Sequence, residues 1–301
     1  TRLGRLQLSV REWGELLAPS EAVIPPDSCR DPADREALRW SFRYNPEADC
    51  GFVFVNNHLR KRVLPDRENV RLTVKAGGRE YALPPVTVKN GENAILPYRL
   101  PLGSALLLGS NASPLTRLGN RYFFYTDEEP VYAFEGEPAE IVTLTREQAR
   151  MAVKLGERLY ISPDPLFEKD GKVYVETDGD AVIDVYEETG EPRRLTVSAP
   201  PFSGGVSFRE TAPGVYELSL RYGGGFDDCV LELAFAGDKA RLYLGDRLIA
   251  DRFSTGLPFC TSLRQHGFPE ALRLELDGPR TGVYHDIEPL RACGLKNARV
   301  C

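Results

Sequence analysis

The chain has 301 residues, enough for two domains of ordinary size or one large β domain with an appendage. Hydrophobic residues at 42% and charged residues at 27% are globular values, and a formal net charge of −6 argues against nucleic acid, whose phosphates need a cationic surface. No run approaches the ~20 apolar residues of a membrane helix.

Glycine (27) and proline (23) are frequent while methionine occurs once, a balance that favours many short strands over long helices. No export leader is read at the start. The chain opens on Thr1, as a processed or excised piece of a longer protein would. The six cysteines, Cys29, Cys50, Cys229, Cys260, Cys293 and Cys301, show no two-residue spacing and no histidine close in sequence. They are expected to be free thiols in a reducing, cytoplasmic setting, with no zinc site and no cofactor.

Residues 1–47 are expected to form an irregular lead-in or strap. Arg11 to Leu17 offers one or two helical turns before Pro19, Asp34 to Trp40 another, and Pro25-Pro26 and Asp31-Pro32 break the pattern between them. A first β-sandwich region is expected over 48–198. It begins with the apolar run Phe52 to Val55. Val70 to Lys75 then alternates apolar and polar residues, as in a half-buried strand. Short runs at 94–96, 105–108, 122–125, 131–134 and 141–144 continue the series, as in an antiparallel sandwich. The best helical window is 144–155, where Thr145 and Gln148 have capping-box spacing. Val173 to Glu176 and Ala181 to Tyr186 follow, with Asp178-Gly179 as a tight turn between them.

Pro200-Pro201 and Ser203-Gly204-Gly205 mark a boundary, and 199–301 is expected to be a jelly roll. Tyr216, Leu218, Leu220 and Tyr222 alternate with Glu217, Ser219 and Arg221, and Leu231, Leu233 and Phe235 repeat the pattern. Arg241 to Leu244 and Leu248 to Ala250 make a hairpin about Gly245-Asp246, and Leu272, Leu274 and Leu276 add a strand. The fold class is therefore all-β: two antiparallel sandwich or jelly-roll domains, an irregular lead-in and one short helix. No 20–50-residue repeat supports a solenoid or propeller.

The sequence offers little catalytic chemistry. Glycoside hydrolysis needs two opposed carboxyl groups, and their usual (β/α)₈ scaffold of roughly 250 residues would show strands alternating with long helices. That alternation is missing, so no catalytic residue is assigned. Asp227-Asp228 reads as a solvated turn, with a calcium site as the alternative. The histidines His58, His266 and His285 have no Gly-x-Ser-x-Gly elbow beside them. Asn56-Asn57-His58 reads as a self-bonded loop and His285-Asp286 as a structural contact. Arg60-Lys61-Arg62, followed by Asp66 and Glu68, reads as a solvated loop. Gly223-Gly224-Gly225 is a turn, since it lacks a phosphate loop's Gly-Lys-Ser/Thr ending. Trp13, Trp40, Tyr222, Phe226 and Tyr243 are candidates for stacking on a sugar, although the core is their default destination.

The run Cys50 to Arg60 (CGFVFVNNHLR) resembles a post-barrel strand of bacterial family 35 β-galactosidases, "Gly-Phe-Leu-Phe-aliphatic-Asn-Asn". Gly91 to Leu102 (GENAILPYRLPL) is similar to that family's "Pro-Tyr/Phe-aliphatic-Leu" segment, and Tyr122 to Tyr125 to its aromatic strand. Ala240 to Phe253 (ARLYLGDRLIADRF) is similar to its carboxy-terminal jelly-roll hairpin, with Gly245-Asp246 where the family has Asn-Gly. The resemblance covers about residues 50–301. The family's barrel motif Glu-Asn-Glu-Tyr-Gly, which carries its proton donor, does not occur. The resemblance implies a β portion that packs against and supports the catalytic barrel of a retaining β-galactosidase. An exposed apolar patch near the lead-in and first sandwich would then be the face that meets the barrel. The alternative is a module with weak affinity for galactosides.

Overall fold

The structure is a computed structural model that describes residues 2–25, 28, 31, 34, 36–59, 62–177, 179–278 and 293–301. It is all-β, with two helices and a short 3₁₀ turn at Arg264–His266 among the described residues. The chain divides into two compact units, Thr1–Glu176 with Ala181–Val197, and Thr177–Asp180 with Ser198–Cys301.

The first unit is built on a six-stranded sheet in the order Glu21–Val23, Arg39–Asn45, Cys50–Asn56, Asn93–Leu102, Ala105–Ser110, Tyr132–Glu135. Cys50–Asn56 is central and nearly all buried, as its apolar run predicts. Alternate side chains serve two cores: Val53 and Val55 pack with Trp40, Phe42 and Tyr98, while Phe52 faces Leu100, Leu107 and Tyr122. Gly51 occupies a point of close backbone approach, where an added Cβ would lie 2.4 Å from the Arg43 carbonyl oxygen and 2.6 Å from the Phe42 ring.

Several expectations need correction. The lead-in is not irregular at its start: Arg2–Leu17 forms one helix, α1. Arg39–Asn45 within it is a full sheet strand, paired with Cys50–Asn56 from Arg39↔Asn56 to Asn45↔Cys50. The expected strand 70–75 is split. Arg67–Val70 pairs with Val86–Val88 and Thr73–Ala76 with Arg79–Ala82, while Leu72 between them turns inward. Arg121–Tyr125 pairs in parallel with Glu140–Leu144, because the intervening chain crosses to the six-stranded sheet through Tyr132–Glu135 before returning. The helical window shrinks to α2, Arg146–Met151, and Ala152–Leu155 becomes a strand. The capping box is present: the Gln148 amide donates to Thr145 Oγ1 at 3.1 Å and the Thr145 amide to Gln148 Oε1 at 2.9 Å. Lys172–Val175 pairs with Leu166–Lys169 rather than with Ala181–Tyr186, and Asp178 of the expected turn lies outside the described residues.

The second unit has a five-stranded sheet, Phe202–Ala212, Val215–Gly224, Ala271–Asp277, Lys239–Leu244, Arg247–Phe253, and a three-stranded one, Phe259–Ser262, Val230–Ala236, Gly294–Val300. Leu218, Leu220, Leu231, Leu233, Leu242, Leu272 and Leu274 form its core. The hairpin 239–253 turns at Gly245, whose φ of +59° suits a residue without a side chain.

Candidate functional site

Helix α1 is held by a stripe that repeats every fourth residue: Arg5, Ser9 and Trp13. Trp13 is 5% exposed and stacks on Tyr122 with ring centroids 6.3 Å apart. The Ser9 hydroxyl reaches the Pro114 carbonyl at 2.9 Å. Beside them Glu12 accepts from Arg117 Nε at 2.8 Å, Thr116 Oγ1 at 3.0 Å and Lys154 Nζ at 3.3 Å. Burial works to raise the Glu12 carboxyl, but the Lys154 ammonium and these hydrogen bonds outweigh it and hold the pKa below the ordinary glutamate value.

Arg5 leads to a dense cluster of buried charge. Its side chain is 2% exposed, and its guanidinium carbon sits 4.7 Å from the centroid of the Tyr125 ring. Its Nη2 donates to Asn93 Oδ1 at 3.2 Å and lies 3.8 Å from Glu92 Oε2. Glu92, itself 12% exposed, also takes Arg146 Nη1 at 3.8 Å and a close hydrogen bond from Arg150 Nη2. Arg146 donates to the Asn93 carbonyl at 2.9 Å and faces Asp127 at 3.6 Å, and the Arg146 amide donates to Asp127 Oδ1 at 2.9 Å.

Local structure sets these positions. The Lys89–Glu92 turn, with Gly91 at φ +75°, delivers Glu92 and Asn93 to the start of a buried strand. Asp127 follows the strand Arg121–Tyr125, and the Thr145 cap starts the helix that carries Arg146 and Arg150 one turn apart. Glu92, Asp127, Arg146 and Arg150 of this cluster also line an open cleft of about 570 Å³, together with Lys89, Thr145 and Glu147. None of these was singled out in the sequence as a ligand contact. Apart from the cap Thr145 they are single charges with no spacing motif, and a helical period would group only those on α2, Arg146 and Glu147 with Arg150.

The aromatic candidates are placed otherwise. Trp13 and Trp40 are buried and belong to separate cores. Tyr222 and Phe226 pack with Phe202 and Phe268 in an edge-to-face group, and the Tyr222 hydroxyl donates to the Pro269 carbonyl at 2.6 Å. Burial, then the charges of Cys229 and Glu270, push that phenol up to about 12. Tyr243 lies on the outer face of the five-stranded sheet, but Arg273 covers its ring at 4.5 Å. The charges around it pair within the sheet: Arg273 with Glu275 at 2.5 Å, Arg241 with Asp277 at 2.5 Å, Lys239 with Asp251 at 3.1 Å. That face is a closed ion lattice rather than an open aromatic platform.

Several of the remaining candidates make structural contacts. Asp228 Oδ1 accepts from the Cys229 and Arg264 amides at 2.7 and 3.1 Å, and its Oδ2 from Ser262 Oγ at 2.7 Å. Asn56 bonds the His58 amide at 3.2 Å, while buried Asn57 donates to the Pro65 and Val88 carbonyls at 2.9 Å each. His266 ends the 3₁₀ turn and is half-buried. His285, Asp286, Cys29, Arg60 and Lys61 lie outside the described residues. Cys50, Cys229, Cys260 and Cys293 are free thiols, and burial pushes Cys50 and Cys229 up to about 11. Gly224, at φ +88°, leaves room for the Pro201 carbonyl, which a Cβ would meet at 1.9 Å. Among the described residues no helix is long and apolar enough to cross a membrane.

The apolar patch expected near the lead-in and first sandwich does not stand apart. Leu3 (64% exposed) and Val10 (57%) share the outer side of α1 and Val63 is exposed in the first sandwich region, yet Phe253 and Leu257 of the second unit are also more exposed than Leu3. Solvent-facing apolar side chains are spread over both units. Neither a family model nor a curated protein matches the chain.

Proposed function

We propose that this chain is the non-catalytic β portion of a family 35 β-galactosidase, packing against and supporting a catalytic barrel that is not part of these 301 residues. The observation that carries the reading is positional. Four runs similar to the family, in the family's order, fall on strands that build the cores: Cys50–Asn56, Asn93–Leu102, Arg121–Tyr125 and the hairpin 239–253. A resemblance confined to exposed loops would carry less weight, since core strands are where side-chain size and alternation are constrained.

The burial of Trp13 and Trp40 and the covering of Tyr243 by Arg273 favour this supporting role over a galactoside-binding module. Two measurements on the purified chain separate the readings. No nitrophenol is expected from nitrophenyl β-galactoside, and release that scales with chain concentration would overturn the proposal. Titration with galactose, lactose and β-galactan is expected to give no saturable signal, and clear millimolar binding would replace the supporting role with the binding module.

A further inference from the structure

We propose that the strand Arg193–Val197 joins two copies of this chain, pairing antiparallel with its own counterpart so that two four-stranded sheets continue as one. The pairing holds whether or not the chain belongs to a glycosidase.

The strand closes the sheet Ala152–Leu155, Arg158–Ile161, Ala181–Tyr186, Arg193–Val197 and has a neighbour on one side only. Its other side presents backbone donors and acceptors with no strand beside them, a template for another chain. Proteins guard such edges with proline, a bulge, unpaired charges or a covering segment. No such guard is present here among the described residues. The five residues contain no proline. Their register with Ala181–Tyr186 is unbroken from Ala181↔Val197 to Val185↔Arg193. Both charges are engaged within the chain: Arg194 meets Asp184 at 2.7 and 3.0 Å, and Arg193 meets Glu187 at 3.1 Å, beside Arg158 at 2.8 Å. All five residues are exposed. The edges Ser113–Leu118, Phe202–Ala212, Arg247–Phe253 and Gly294–Val300 are each interrupted by a register shift, and Glu140–Leu144 ends buried.

A second copy fits this edge because the strand is self-complementary. Pairing about a two-fold axis at Leu195 sets Leu195 against Leu195, Arg194 against Thr196 and Arg193 against Val197, so no like charges are opposed. Opposed residues share a face of the sheet, and within the chain Leu195 is opposed by Ile183. An apolar row, Ile183 and Leu195 of each copy, therefore crosses the junction. Leu195 (39% exposed) is covered by its counterpart, and Val197 (40%) by the stem of Arg193. Five residue pairs make a small interface, so the association is weak and lies in the micromolar range.

Sedimentation velocity of the full chain from about 1 to 200 µM is expected to show the mass rising from 33.6 kDa toward twice that value. Leu195→Lys sets two ammonium groups against each other on the axis. It is expected to stay at the single-chain mass, with the thermal midpoint of the dilute natural chain, because the position is exposed. Leu195→Cys should cross-link on oxidation, since opposed residues bring Cα atoms within ~4.5–5.5 Å, inside disulfide range. Val197→Cys should cross-link no more than the natural chain, because its counterpart lies four residues away, roughly 13 Å along the strand. A single-chain mass at the highest concentration would leave the edge to a different protein or to none, and overturns the proposal. So does a dimer undiminished by Leu195→Lys, or cross-linking of Val197→Cys as readily as Leu195→Cys.

Discussion

Replacing Trp13 by alanine tests how α1 is seated on the first unit. Trp13 is 5% exposed and lies in a core with Phe52, Leu100, Leu107 and Tyr122. A buried tryptophan removes ~150–250 Å² from water. At ~25 cal/mol per Å² that is about 4–6 kcal/mol, an upper value because the denatured chain hides part of the same surface. Cavity measurements on Trp→Ala changes give a similar range of about 3–5 kcal/mol. A loss of about 3–5 kcal/mol is therefore expected for Trp13→Ala. Urea unfolding followed by tryptophan fluorescence is suited to the measurement, because both tryptophans, Trp13 and Trp40, belong to the first unit. Trp40 remains as reporter in the variant. Leu3→Ser, at a position 64% exposed on the same helix, should change stability by less than about 0.5 kcal/mol. A Trp13→Ala loss below about 1 kcal/mol would mean that the helix is not anchored through this ring.

Other consequences can be checked in the same assay. Glu12 has a depressed carboxyl pKa, so its contribution is fully present above the unfolded-state value of about 4.3 and is lost as pH falls through its folded value. The stability gap between the natural chain and Glu12→Gln should close in that acid range, and a gap that widens there would contradict the ion cluster with Arg117 and Lys154. Gly51→Ala must displace the Arg43 carbonyl or the Phe42 ring and should cost about 1–3 kcal/mol, measured as a shifted urea midpoint. Asn57→Ala strips hydrogen bonds from the Pro65 and Val88 carbonyls and should cost about 1–3 kcal/mol in the same titration.

The strands that were legible in the sequence are those whose two faces differ in chemistry. Tyr216, Leu218 and Leu220 point into a core while Glu217, Ser219 and Arg221 face water, so period-two alternation reported them directly. The Gly245 hairpin and the Thr145–Gln148 cap were legible because each depends on two or three residues close in sequence. Helix α1 was only half seen: its most buried stripe ahead of Trp13 is the polar pair Arg5 and Ser9, while Leu6 and Leu8 are half-buried and Leu3 and Val10 face out. Arg39–Asn45 was missed although Trp40, Phe42 and Tyr44 alternate with Arg39, Ser41 and Arg43, because the proline breaks ahead of it made the whole lead-in read as irregular. The strand at 70–75 was misjudged because alternation describes Leu72 and Val74 well but does not reveal that the chain changes partner between them. The charge cluster was invisible for a different reason: Arg5, Glu92, Asp127 and Arg146 meet only through long-range strand pairing, and single charges in a chain with 82 charged residues (38 + 44) point nowhere.

The supporting role in a β-galactosidase is tested most directly by the coding sequence that runs in frame into the codon for Thr1. The account predicts a (β/α)₈ barrel there with the family's Glu-Asn-Glu-Tyr-Gly motif. An open reading frame that starts at or just before Thr1, or one that continues upstream into an unrelated domain, would contradict it.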